Sequence, residues 1–576
     1  MRYLALACDY DGTLAGEGGF EEATRAALLQ LKATGRRLIL VTGRRIDDLE
    51  LVCPDLSPFD LVVGENGAVL YSPATRELRT LVEPPPASFA EALKKRGVPE
   101  VAVGRVIVAT WQPYETVVLQ VIRDLQLEMQ VIFNKGAVMV LPSGVNKGSG
   151  LQAALEELRL SPHNVVAVGD AENDHALLAG CECGVAVANA LPMLKQRADL
   201  VTTGYASAGV AELALRMIHD DLADLEPSMR RHDIPIGVDQ ANQPVSLPAY
   251  GATVLLAGTS GSGKSTFATA FLEEISKRGY QYCIVDPEGD YGALPNAVAV
   301  GTPQAPPVLD DLIKVLDTPT YNAVVNLVGL PVPDRPAFFD TLLPRLKAER
   351  ISWGRPHWIV VDEVHHVAPR GTEPPKPAPP DGESPTGVLM ITVHPEHVAR
   401  DTLASVNVVV IVGAGPDRTL GELATTLGVR PPDLDATPLE PGEAFVWWPH
   451  RPEGAIRIRT AAPHSERRRH QRKYIEGTLS PELSFYFRGP EGKLNLRAHN
   501  LTSFLELADG VDDDTWGFHL KAGSYSRWIA DVVHDQDLAE DVATIEREGD
   551  KRPPRDTRGA VRSAVERRYM VGTPAM

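Results

Sequence analysis

An apolar run at residues 253–257 leads directly into Gly258-Thr259-Ser260-Gly261-Ser262-Gly263-Lys264-Ser265, and a helical pattern begins near Ser265. A glycine-rich loop wedged between a strand and a helix constrains this chain more than any other feature, because it fits a parallel sheet covered by helices. The backbone N–H groups of such a loop converge on phosphate oxygens at a helix N-terminus. The lysine neutralises phosphate charge, and the serine hydroxyl reaches a magnesium ion. Gly258, Thr259, Ser260, Gly261, Ser262, Gly263, Lys264, Ser265 and Thr266 are therefore the expected nucleotide-binding residues. ATP and Mg2+ are the expected ligands, with Ser265 on the metal.

Farther on, Trp358-Ile359-Val360-Val361 is a second apolar strand, and it ends in Asp362-Glu363. At that position Asp362 is expected to hold the water shell of the magnesium ion. Glu363 is expected to polarise an attacking water, which favours ATP hydrolysis over transfer to another acceptor. With Ile284-Val285-Asp286-Pro287-Glu288-Gly289-Asp290-Tyr291 and Thr392-Val393-His394-Pro395, residues 234–460 resemble the HerA-FtsK superfamily of motor ATPases. Many members of that superfamily form rings and move nucleic acid. Here His394 stands near where a sensor glutamine is common, so the resemblance does not extend to translocation. Arg400 is a candidate arginine finger.

Strands and helices also alternate from the amino end, with strand-like runs at residues 4–8, 38–41 and 60–63 and a helical pattern at 21–34. Pro84-Pro85-Pro86 interrupts the rhythm, and residues 89–141 read as a small inserted α/β unit before it resumes near Val165. Polar clusters follow the strands: Asp9-Tyr10-Asp11-Gly12-Thr13-Leu14, Val41-Thr42-Gly43-Arg44, and Gly169-Asp170-Ala171-Glu172-Asn173-Asp174, with Lys147 just after the insertion. Open α/β sheets bind ligands at that carboxyl edge.

Taken together these clusters closely resemble the haloacid dehalogenase superfamily of phosphatases over residues 1–215, and the insertion resembles the α/β cap of its type IIB members. The resemblance implies a Rossmann-like core in which Asp9 attacks phosphorus to form an aspartyl phosphate. Asp11 would protonate the leaving oxygen and later activate water. It further implies that Thr42 and Lys147 hold the transferring phosphoryl group. Asp9, Asp11, Asp170 and Asp174 would gather Mg2+, a hard cation that takes oxygen ligands. A cap over the mouth implies a small phosphorylated metabolite of the sugar phosphate or phosphoglycolate type. The segment Gly64-Glu65-Asn66-Gly67-Ala68 also looks like the family's loop before the cap, but a simple turn accounts for it nearly as well, and it is left out of the candidate site.

A chain of 576 residues exceeds a single core. At about 150 residues per domain it suggests three or four units. The expected partition is 1–215 with a cap near 82–141, then 234–460, then a small, mostly helical region at 474–576 whose end is a charged tail. An acidic connector at 219–233, a proline-rich surface loop at 369–385 and the basic stretch Arg467-Arg468-Arg469, Arg472-Lys473 punctuate it. In the last region Phe485-Tyr486-Phe487-Arg488, Trp516, Tyr525 and Trp528 are expected to form a core rather than a base-stacking surface, and residues 551–568 to be solvated.

The formal charge of -19 argues against a whole-protein electrostatic grip on nucleic acid, so a nucleic-acid partner is a secondary reading, and a homo-oligomer is an expectation only. Five scattered cysteines fit a reducing compartment. The first apolar run is too short for a signal peptide and no stretch approaches the ~20 apolar residues of a membrane span, so a cytoplasmic location is expected. The leading reading is a phosphatase fused to an ATPase. Two alternatives are a nucleic-acid motor with an attached phosphatase and an ATP-binding switch that gates the phosphatase.

Overall fold

The structure, a computed structural model, describes all residues except 17–18, 260, 293, 295, 372–386, 435–437, 452–453, 464–478, 480–483, 534, 550–551 and 570–576. The loop expected at 369–385 falls largely, and the basic stretch at 467–473 entirely, outside the described residues.

Strand Ala5–Asp9 is buried along its whole length, as a strand covered on both faces must be. It lies in an eight-stranded sheet between Val165–Gly169 and Arg37–Val41, parallel to both. Cys183–Ala186 and Leu200–Val201 continue the parallel sheet on one side, and Leu61–Gly64 on the other. Val69–Ser72 and Glu77–Thr80 then close that edge antiparallel. Parallel strands share one direction, so Asp9, Thr42 and Asp170 all emerge at one carboxyl edge.

The insertion is a four-stranded antiparallel sheet in the order Ala102–Val103, Val108–Trp111, Ala137–Pro142, Met129–Asn134. Helices Ala87–Lys95 and Glu115–Asp124 back it, with a separate small core that includes Phe89, Leu93, Val118, Val121 and Val138.

The second large sheet has a parallel part in the order Ala297–Val300, Asn322–Asn326, Tyr282–Asp286, Trp358–Val361, Val388–Thr392, Thr253–Gly258, Val408–Val412. Four antiparallel strands extend it, Glu443–Trp447, Ile456–Thr460, Ile234–Asp239 and Pro244–Leu247. Successive side chains of one strand fill opposite cores: Leu255 and Ala257 on one face, Val254 and Leu256 on the other.

The two sheets meet at the amino ends of their strands. Glu182, just before Cys183–Ala186, accepts from Arg2 Nη2 at 2.7 Å and from Tyr280 Oη at 2.9 Å, and lies 2.7 Å from His163 Nδ1. His163 Nε2 faces the Arg278 carbonyl at 2.7 Å, and its ring stacks on Tyr280 at 3.7 Å. Arg278 and Tyr280 follow helix Lys264–Lys277, which begins at the glycine-rich loop.

In the C-terminal region Phe485, Phe487, Trp516, Tyr525 and Trp528 are buried together, as expected. The expectation of a solvated tail is overturned. Residues Pro554–Tyr569 form a helix that buries Val561, Ala564 and Val565, an i, i+3, i+4 stripe, while Thr557 accepts from Trp516 Nε1 at 2.9 Å. The density of arginine hid that stripe. No helix among the described residues is long and apolar enough to cross a membrane.

Candidate functional site

The first candidate site gathers at the carboxyl edge of the eight-stranded sheet. Asp9 ends its strand in a buried position, and Lys147 Nζ lies 2.5 Å from Asp9 Oδ1 and 2.6 Å from Asp174 Oδ1. Lys147 is the first residue of helix Lys147–Leu158, whose start is fixed by a capping box between Asn146 and Ser149. The other oxygen of Asp174 accepts from the backbone N–H groups of Asp170 and Ala171, so this carboxylate both shapes the turn and orients the lysine. Burial pushes the Asp9 carboxyl up, Asp174 adds to this, and Lys147 opposes it. Burial also works against the Lys147 ammonium, but Asp174 and Asp9 outweigh it and hold its pKa above the ordinary value.

Asp170 accepts from Thr13 Oγ1 at 3.2 Å and pairs with Lys135 Nζ at 2.9 Å. Burial raises its pKa, and Lys135 is the chief opposing influence. One ligand atom from each of Asp9, Asp170 and Asp174 lies within 4.8 Å of the others. Three crowded, desolvated carboxylates form a donor set that fits a hard divalent cation. Thr42 is buried one residue beyond Val41, the register partner of Asp9, and its Oγ1 accepts from Arg44 N at 3.1 Å. Asp11 is partly exposed at the mouth, where the Arg44 guanidinium grips its carboxylate in a fork at 2.7 to 3.0 Å.

Sequence reasoning missed two residues. Lys135 lies in the turn between the cap strands Met129–Asn134 and Ala137–Pro142, and its ammonium reaches Asp170 and the Asp11 carbonyl. Glu65, in the segment set aside as a turn, is buried, and its carboxylate accepts from the cap backbone at Arg105 N (2.8 Å), Val106 N (2.7 Å) and Ile107 N (2.9 Å). Asn66 Oδ1 accepts from Asn173 Nδ2 at 2.9 Å, and Glu65 and Asn66 both hold positive φ, +48° and +56°. For Glu65 the available signal was the likeness of residues 64–68 to the family's loop before the cap.

The second candidate site lies at the matching edge of the other sheet. Gly261 and Gly263 hold φ +72° and +99°, and a Cβ at Gly258 would lie 2.3 Å from the Val412 carbonyl, so the loop requires glycine there. Lys264 Nζ donates to the carbonyls of Gly258 (3.0 Å) and Thr259 (2.8 Å). Ser262 Oγ is buried without a hydrogen-bond partner among the described residues, and Ser265 and Thr266 are half-buried in the first turn of the helix. Ser260 lies outside the described residues.

Strand Val388–Thr392 separates the loop strand from Trp358–Val361, which brings Thr392, Asp362 and Glu363 to one edge. Burial pushes the Asp362 carboxyl well up, with Glu363 and Asp286 adding. Glu363 holds φ +39°, and burial raises its pKa while the Val393 backbone opposes this; among the described residues its Oε2 has no hydrogen bond, with His365 Nδ1 3.4 Å away. Burial lowers the Lys264 pKa, while Glu363 and Asp362 oppose that. Asp286 accepts from the backbone of Gly289, Asp290 and Tyr291 and so folds the loop that follows it. His394 N donates to Thr392 Oγ1, its ring pairs with Glu396 at 3.1 Å, and Arg400 is exposed.

Comparison with known proteins finds two families in one chain. Residues 236–334 match the central domain of the helicase HerA. Residues 6–95 and 105–213 match the haloacid dehalogenase-like hydrolases. A phosphoglycolate phosphatase of Methanothermobacter thermautotrophicus is 30% identical over 228 residues, which are 37% of this chain and 98% of the relative. One from Haloarcula marismortui is 32% identical over 216 residues, 36% of this chain and 94% of the relative. A solved haloacid dehalogenase-like hydrolase from Bacteroides thetaiotaomicron covers 37% of this chain and 99% of its own, with 19% identity and a TM-score of 0.34. With a HerA-type segment following it, the N-terminal part places the chain among the haloacid dehalogenase-like hydrolases, the family to which it belongs.

Proposed function

We propose that residues 1–215 form a Mg2+-dependent phosphohydrolase acting on a small phosphate monoester, that residues 234–460 bind and hydrolyse ATP, and that residues 474–576 form a third unit. The observation that carries the first part is the buried Asp9 carboxylate paired at 2.5 Å with Lys147, beside Asp170 and Asp174. An Asp9 oxygen attacks phosphorus while the ester P–O bond breaks, and Asp11 gives its proton to the departing oxygen. Asp11 then takes a proton from water, the water oxygen bonds to phosphorus, and the bond to Asp9 breaks to release phosphate. Thr42 and Lys147 hold the phosphoryl oxygens. Asp9, Asp170 and Asp174, with Asp11 through its backbone carbonyl oxygen, would hold Mg2+, which when bound offsets negative charge on the nucleophile and the phosphoryl group.

In the second part the backbone and side chains of residues 258–266 cradle the ATP phosphates, with Lys264 on the terminal ones. Ser265 would hold the accompanying magnesium ion and Asp362 its water shell, and Glu363 would orient the attacking water. The names of the relatives favour phosphoglycolate as the type of substrate. The buried, unpaired cysteines are compatible with a reducing cytoplasm. A second reading, a nucleic-acid motor with an attached phosphatase, is favoured by the HerA match and opposed by the net charge of -19.

The test is a screen of phosphorylated metabolites with the purified full chain and Mg2+, with and without ATP, alongside Asp9→Asn. Release of phosphate that Asp9→Asn abolishes supports the phosphatase; equal release by both proteins overturns it. ATP hydrolysis that rises steeply with added DNA would transfer the preference to the motor reading.

A further inference from the structure

Lys135 belongs to the cap, yet its Nζ lies 2.9 Å from Asp170 Oδ2 and 2.9 Å from the Asp11 carbonyl oxygen in the core. Two features make this contact more than a surface lysine settling on the nearest carboxylate. The first is the backbone. Lys135 and Gly136 form a two-residue hairpin turn with φ +47° and +89°, a turn that favours asparagine or aspartate before glycine. A lysine there accepts an unfavourable left-handed conformation. The second is the floor beneath the ammonium. A Cβ at Gly12 would lie 2.5 Å from both Lys135 Nζ and Asp170 Oδ2, so the contact exists only because position 12 carries no side chain. The Lys135 side chain is itself about half exposed, and burial does not force it into the site.

The two oxygens touched by this ammonium come from Asp11 and Asp170, two residues assigned above to the cation. A half-exposed ammonium resting on oxygens that a divalent cation would also draw on repels that cation and competes with it. We propose that Lys135 is a positioning residue that holds the cap tip on the cation site, and that a divalent cation displaces it, so that cation loading and release of the cap tip are one linked equilibrium. The proposal rests on the cation reading of the proposed function. Linkage makes it reciprocal: the factor by which Lys135 weakens the cation is the factor by which the cation weakens the cap contact. In the unloaded protein the cap tip rests on the cation site through Lys135, and loading the cation frees it.

The experiment measures Mg2+ binding to the full chain by titration calorimetry, without nucleotide or phosphate ester, for the wild type, Lys135→Met, Lys135→Arg and Asp170→Asn. Hydrogen exchange of residues 129–142 is followed with and without Mg2+. Lys135→Met is expected to bind Mg2+ about five- to tenfold more tightly than the wild type, as fits loss of one partly exposed competing charge, while Lys135→Arg stays near the wild type. Exchange in the hairpin should rise on adding Mg2+ to the wild type and be high throughout in Lys135→Met. Equal Mg2+ affinity in Lys135→Met and wild type, or wild-type exchange indifferent to Mg2+, overturns the proposal. If neither of these proteins binds Mg2+ at a site that Asp170→Asn removes, the cation reading itself fails, and the inference falls with it.

Discussion

Lys147 carries its charge where only 2% of its side chain meets solvent, between two carboxylates that would otherwise face each other unscreened. The two sides of this contact should respond differently to mutation. Lys147→Ala leaves Asp9 and Asp174 buried without their shared cation and should cost about 3–5 kcal/mol in denaturant unfolding, as breaking a buried ion pair does. Asp9→Asn removes one of the two crowded charges and keeps a side chain of the same shape. Its unfolding free energy should stay within about 1 kcal/mol of the wild type while phosphate release falls at least about 1,000-fold, a loss of the reacting group and not of the fold. A large loss of stability in Asp9→Asn would mean that Asp9 serves the fold first. At the other site Glu363→Gln keeps the volume of the side chain but not its basicity, so nucleotide affinity should hold while ATP turnover drops about 100- to 10,000-fold, the range for a lost general base. Asp9, Asp170 and Lys264 were legible in the sequence because each sits in a short motif at a strand end, where local spacing fixes the position. Lys135 and Glu65 were not, because their partners lie across the boundary between core and cap.

The turn Glu65–Gly67 joins strand Leu61–Gly64 to Val69–Ser72, and through it the core holds its cap. Three consecutive backbone N–H groups of the cap, at Arg105, Val106 and Ile107, converge on the one Glu65 carboxylate. Glu65→Ala strands those donors, and each buried donor left without a partner costs about 1–3 kcal/mol unless water reaches it. The variant should therefore exchange the amides of residues 105–107 much faster than the wild type, with little change across the central strand Ala5–Asp9. Unaltered protection at 105–107 would show that other contacts anchor the cap. Element types were readable from period and length: 4–8, 38–41 and 60–63 became strands with bounds shifted by a residue or so. Strand order was not, because sheet neighbours such as Ala5–Asp9 and Val165–Gly169 are brought together by pairing across the whole inserted cap. The misread tail has a different cause. In Pro554–Tyr569 the charged residues outnumber the apolar ones, and a count of charge conceals a narrow buried stripe that its spacing would have disclosed.

At the scale of the whole molecule the two α/β sheets turn their candidate sites away from each other and touch at the opposite ends of their strands. Glu182 is the centre of that contact. Burial pushes its carboxyl up, but the hydrogen bond to His163 and the charges of Arg2 and the neighbouring histidines outweigh burial and hold it well below the ordinary carboxylate range. A carboxylate whose folded pKa is depressed stabilises the folded state above its unfolded pKa, near 4.5, and loses that contribution as pH falls through the folded value. Glu182→Gln removes the titrating charge while keeping the volume, and leaves Arg2 and His163 without a buried anion. The variant should lose at least about 2 kcal/mol of stability at pH 7, the scale of a buried charged hydrogen bond. Calorimetric melting temperatures measured from pH 8 downward should therefore lie furthest apart between wild type and variant at neutral pH and begin to converge below about pH 4.5, closing progressively as the pH falls toward the folded value. The contact also joins helix Lys264–Lys277, through Arg278 and Tyr280, to the phosphatase-side His163, so its loss should let the two sheets unfold separately. Phosphatase and ATPase activities of Glu182→Gln should then decay at different temperatures at pH 7, while those of the wild type decay together. A melting difference that stayed constant from pH 7 to pH 3 would mean that Glu182 contributes through packing and not through its charge.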